Sequence, residues 1–88
     1  MTEKEKAELL AAGEKCLLFF ERAMEKSIRD KALDLARMYR YQYSGAAYML
    51  EALGLLSYEE YDALYKAIWA RYLETAFPQT IPMEAVKP

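Results

Sequence analysis

The sequence predicts an all-α fold, a small three-helix bundle. Helix formers dominate a chain of 88 residues that has only three glycines and three prolines, two of those prolines within its last seven residues. Apolar residues recur at spacings of three and four, the period of a helix with one packed face. Two Ser/Thr-x-x-Glu signatures, Thr2–Glu5 and Ser57–Glu60, stand where apolar runs begin, as reciprocal helix caps do.

The first helix is expected over about residues 3–25. Thr2 and Glu5 open it, and Leu9, Gly13, Cys16, Leu17, Phe20 and Met24 form its apolar face. Gly13 either weakens that helix by about 1 kcal/mol relative to alanine or lets another helix come close. Cys16 is the only cysteine, so no intramolecular disulfide is possible. Its neighbours Leu17, Leu18, Phe19 and Phe20 predict a buried thiol acting as a small hydrophobe.

The second helix is expected over about 28–53, with Ile28, Ala32, Leu35, Tyr39, Ala46, Leu50 and Leu53 on its packed side. The two stripes are rotated apart by roughly 80° at 100° per residue, which calls for a bend or turn near 25–29. Ser27 with Asp30 supplies a cap there. No glycine or proline marks the turn, so one bent helix over 3–53 is the alternative. The stretch YRYQYSGAAYML sets four tyrosines around Ser44, Gly45, Ala46 and Ala47. Tyr39 is placed on the packed side and Tyr43 at its edge. The small residues give room for large rings from a neighbouring helix, and Ser44-Gly45 is a candidate bend.

The third helix is expected over about 58–76. Gly54 suits the left-handed position after a helix end. Leu56 before the Ser57 cap and Tyr61 after it form a hydrophobic staple, and Phe77-Pro78 closes the helix. The elbow LGLLSYEEYDAL resembles the short helical hairpins of bacterial oligomerisation segments. Capping signals alone carry that likeness, and it assigns no family. Residues 1–77 thus form one helical domain. The tail over 78–88 is expected to be extended, either frayed or docked through Ile81 and Met83.

Two surfaces are candidates for function. Tyr58, Tyr61, Tyr65, Trp69 and Tyr72 lie within roughly 80° on the third helix. They read either as the core face or as a protein interface, since Tyr and Trp are enriched at interfaces and a buried phenol needs a partner. Lys26, Arg29, Arg37 and Arg40 share one side of the expected second helix, flanked by Tyr41 and Tyr43 and bordered by Asp30 and Asp34. That basic face reads as a solvated surface, a site for an acidic protein, or a nucleic-acid contact.

Charge supports no strong polyanion preference: the net charge is −2. Residues 1–25 carry four Lys/Arg against six Glu, residues 26–43 carry five against two acids, and residues 44–88 carry three against six. The middle is basic and both ends are acidic. There is no histidine, no Gly-rich phosphate loop and no second cysteine, which removes His-based catalysis and the usual zinc sites. No catalytic residue, metal ligand or cofactor is expected. The longest uncharged run, Tyr41 to Leu50, is about half the roughly 20 residues a membrane span needs, and a cytoplasmic location is expected. The functional expectation is a small non-enzymatic protein, a regulator or adaptor, acting by protein–protein contact and forming a homodimer with Tyr65 and Trp69 at or beside the interface. The alternatives are a nucleic-acid-binding regulator using the basic face, and a small phage or mobile-element inhibitor such as an anti-CRISPR protein.

Overall fold

A computed structural model describes residues 1–77; the tail over 78–88, expected to be frayed or docked through Ile81 and Met83, lies outside the described residues. The chain forms three helices, α1 (Glu3–Arg29), α2 (Leu33–Ala52) and α3 (Tyr58–Ala76), packed as a small three-helix bundle.

Both expected capping boxes form. The Thr2 hydroxyl accepts from the Glu5 amide at 3.1 Å, and the Thr2 amide donates to Glu5 Oε1 at 2.8 Å. Ser57 and Glu60 repeat the exchange at 3.0 and 2.8 Å. Each box satisfies two amides that a helix start otherwise leaves bare.

The first turn differs from the expected one. α1 runs on to Arg29 and α2 begins at Leu33, so the break falls over 30–32 and not at 25–29. Two separate helices form there, not one bent one. The closure is a Schellman motif. The Lys31 amide donates to the Ile28 carbonyl at 3.0 Å and the Ala32 amide to the Ser27 carbonyl at 2.8 Å. Lys31 takes the left-handed conformation, φ 60°, which glycine usually fills. The end of α2 repeats the motif with the expected residue. Gly54 has φ 76°, its amide reaches the Glu51 carbonyl at 2.9 Å, and the Leu55 amide reaches Leu50 at 2.9 Å.

The packed faces follow. α1 turns Leu17, Met24 and Ser27 inward, with Leu10, Phe20 and Ile28 beside them. α2 buries Ala36, Arg40, Tyr43, Ala47 and Leu50, spaced four, three, four and three. That seam is displaced from the expected one: Leu35 and Leu53 are exposed, and Tyr39 and Ala46 sit at its margin. α3 contributes Ile68 and Tyr72, supported by Tyr61, Leu64 and Trp69. Antiparallel α1 and α2 approach closely where Gly13 meets Leu50. A Cβ on Gly13 would lie 2.6 Å from Leu50 Cδ2, so the second reading of this glycine is the one that forms. Gly45 has open space around it and α2 passes through it without interruption.

The core is thin. Met24 and Ile68 are the only large side chains fully buried among the described residues. The principal extents are 49 × 32 × 15 Å and the radius of gyration is 15.0 Å, against about 12 Å for a compact chain of this length. α2 holds α1 on one side and α3 on the other. α1 and α3 meet over a smaller area, where Arg71 pairs with Glu25. Further along they part, leaving a cleft of about 220 Å³ with Leu10, Leu17, Leu50 and Leu64 among its walls. Among the described residues, no helix is long and apolar enough to cross a membrane.

Candidate interaction surface

The aromatic residues of α3 divide into an inner and an outer group. Tyr72 is buried, at 5% exposure, and Trp69 is half-buried. Their rings meet edge to face at 6.2 Å. Both belong to the cage around Arg40, whose Cζ lies 3.7 Å from the Trp69 ring centroid, 5.2 Å from Tyr72 and 4.4 Å from Tyr41. Arg40 itself is 3% exposed. Its Nε has no hydrogen-bond partner, and no carboxylate of the described residues pairs with it. Ring faces carry the negative end of the aromatic quadrupole, so they replace the missing counter-charge, worth up to about 2 kcal/mol when desolvated.

The outer group faces solvent. Tyr58 is 63% exposed, Tyr48 of α2 56% and Tyr65 38%. Tyr61 is the half-buried centre that joins them, with ring centroids 6.1 Å to Tyr58, 6.0 Å to Tyr48 and 6.2 Å to Tyr65. Four rings therefore form one contiguous patch across the α2–α3 seam. Sequence reading found Tyr58, Tyr61 and Tyr65 but not Tyr48. A period-based reading of one helix cannot reveal a member supplied by its neighbour. The antiparallel pairing that sets position 40 against 69 also sets 48 against 61.

The expected basic face does not assemble as one surface. Lys26 and Arg29 lie on α1, while Arg37 and Arg40 lie on α2. Arg40 is enclosed and offers no charge to solvent. The Lys26 ammonium binds Asp30 at 2.8 Å, and Arg37 lies 3.7 Å from Asp34. The Asp30 carboxyl is held below its usual range by the hydrogen bond and charge of Lys26. Arg29 is exposed. Cys16, expected inside, is exposed: it sits beside the α1 seam, and Leu17 takes the inward position.

Buried Tyr43 shows the electrical character of the interior. Loss of water around its phenol, and then the nearby Glu21 carboxylate, push its pKa above 10.0. On the surface, Glu25 raises the Arg71 guanidinium further through a hydrogen bond and its charge. Among the described residues, no three His, Cys, Asp or Glu side chains converge as metal ligands do. No protein-family model, no curated protein and no solved structure matches this chain.

Proposed function

We propose that this chain is a small non-enzymatic helical protein, a regulator or adaptor that works by protein–protein contact and forms a symmetric homodimer through the tyrosine patch. The observation that carries this reading is the contiguous cluster of Tyr48, Tyr58, Tyr61 and Tyr65 on the outer side of α2 and α3. Tyrosine supplies a large, stiff contact area at low entropic cost and keeps its hydroxyl wet when free. The thin core supports the same reading, since small domains without disulfides or metals often gain stability by association. A two-fold interface uses one patch twice, so a single self-complementary cluster suffices.

The nucleic-acid alternative loses support from the placement of its cations: one is enclosed in rings and two already have carboxylate neighbours. An inhibitor of another protein would use the same kind of surface as the adaptor. Unfolding at several concentrations tests the reading. The midpoint of the wild-type chain should rise with concentration, and the Tyr58→Ser, Tyr65→Ser double variant should lose that dependence while keeping its helix content. A concentration-independent midpoint in the wild type would remove self-association from the proposal.

A further inference from the structure

The outer side of α1 has a composition that the tyrosine patch does not use and that the fold uses only at its edges, where the Phe19 ring meets Tyr39 of α2 edge to face at 6.4 Å and Leu18 reaches the cleft. Lys15, Leu18, Phe19, Arg22, Ala23 and Lys26 line one shallow depression there. Phe19 is 61% exposed and Leu18 44%. Lys15 and Arg22 are exposed and form no ion pair with any described residue, and the same holds for Arg29 one turn beyond Lys26. At 100° per residue, positions 15, 18, 19, 22, 26 and 29 fall within roughly 100° of arc. Two large and mostly exposed apolar side chains therefore lie between unpaired cations, with one edge of the Phe19 ring against Phe20 and Tyr39.

From this we infer that the outer face of α1 docks an acidic amphipathic helix of a partner protein. The partner would place an apolar anchor on Leu18 and Phe19 and carboxylates opposite Lys15, Arg22 and Arg29. Charge complementarity names the acidic class: the unpaired groups are all cations, and each gains a charge-assisted contact when a carboxylate arrives. The exposed apolar pair supplies the anchor point, since a leucine and a phenylalanine side by side suit the apolar face of an amphipathic helix. The surrounding charge separates a short acidic segment from an extended polyanion. Glu14, Glu21 and Glu25 flank this face on the same helix, and the chain as a whole carries −2. All three acids lie along one edge of the strip at roughly 100° per residue; a broad nucleic acid or anionic membrane would meet them, whereas a single helix can lie along the basic strip to one side of them. This face lies apart from the tyrosine patch, so one chain can hold a second copy and an acidic partner together.

The test uses the full chain and a fluorescent synthetic peptide. It carries Leu and Phe at i, i+3, i+4 and i+7 and Glu at most other positions, and its control permutes the same residues to break that period. Anisotropy should report binding of the periodic peptide at least about tenfold tighter than of the control, a difference of about 1.4 kcal/mol. Phe19→Ala and Arg22→Glu should each weaken it about tenfold, and binding should fall with added salt. Both positions face solvent, and circular dichroism checks that the helices remain. Should Phe19→Ala lose helix, Leu18→Ser replaces it with the same expectation. Equal binding of both peptides, no binding, or indifference to the substitutions overturns the inference. So does a result in which a thymidine oligonucleotide or phosphatidylserine vesicles, and not the peptide, bind in an Arg22-dependent way.

Discussion

Arg40 occupies a seam position where a hydrophobic residue is the usual choice. Its guanidinium is enclosed by Tyr41, Trp69 and Tyr72 and has no carboxylate among the described residues. A buried charge held this way is costly to desolvate, and an unbranched apolar side chain of similar length removes that cost. We expect Arg40→Met to stay within about 1 kcal/mol of the wild type or to exceed it, and Arg40→Ala to lose about 2–4 kcal/mol by opening a void against Trp69. Denaturant titration of both variants decides it: equal losses would mean that the ring–cation contact holds more of the fold than packing does. Lys31 gives a second local test. It sits at φ 60° without a glycine, so Lys31→Gly should raise stability by about 1 kcal/mol, and no gain would contradict the left-handed closure. Tyr43 gives the third. Its phenol stays protonated to higher pH in the folded protein than in the unfolded chain, because its pKa is raised above 10.0. Its contribution is therefore complete below pH 10.0 and is lost as pH climbs toward the folded value. Tyr43→Phe should flatten the alkaline fall of the unfolding midpoint, and a parallel fall in both proteins would count against burial of that hydroxyl.

The helices themselves differ in how openly the sequence announces them. The start of α1, both ends of α3 and the end of α2 were legible, because Thr2/Glu5, Ser57/Glu60, Gly54 and Phe77-Pro78 are residues whose chemistry requires those positions. The α1–α2 turn was not, since a lysine fills the site that glycine normally marks. The α2 seam was read one residue out of place for a related reason. A pattern search skips a charged residue, so Arg40 pushed the stripe from 36, 40 and 47 onto Leu35, Tyr39 and Ala46, while Leu50 is shared by both. The tyrosine patch was visible only in its α3 members, because Tyr48 joins it through the pairing of two helices. The two helical glycines give an element-level test of the α1–α2 contact. Gly45→Ala meets nothing within 4 Å and should stabilise by about 0.5–1 kcal/mol through helix propensity. Gly13→Ala would meet the Leu50 methyls at 2.6 and 3.0 Å and push them toward the cleft they line, and that should offset part or all of the same gain. Adding Leu50→Ala should restore the benefit, with a coupling of at least about 0.5 kcal/mol in a double-mutant cycle. Equal gains at the two glycines would mean that the helices do not approach as closely as 2.6 Å implies.

Taken together, the three helices make a broad, thin body, 15 Å in its least dimension, with little of its apolar surface enclosed. α2 is the shared wall: it packs Gly13 and Leu17 of α1 on one side and Ile68 and Tyr72 of α3 on the other. This leaves two outer faces of unlike chemistry, tyrosines across α2 and α3 and a basic, apolar strip along α1. In the proposed reading such a body is stabilised by association, with the tyrosine patch as the surface for a second copy. Mass in solution by light scattering across a concentration series tests that dependence on association. Assembly through the patch predicts a mass that rises to twice 10.2 kDa and returns to the monomer value in the Tyr58→Ser, Tyr65→Ser variant. A wild-type mass that stays at 10.2 kDa throughout, or a variant that remains dimeric, would contradict it.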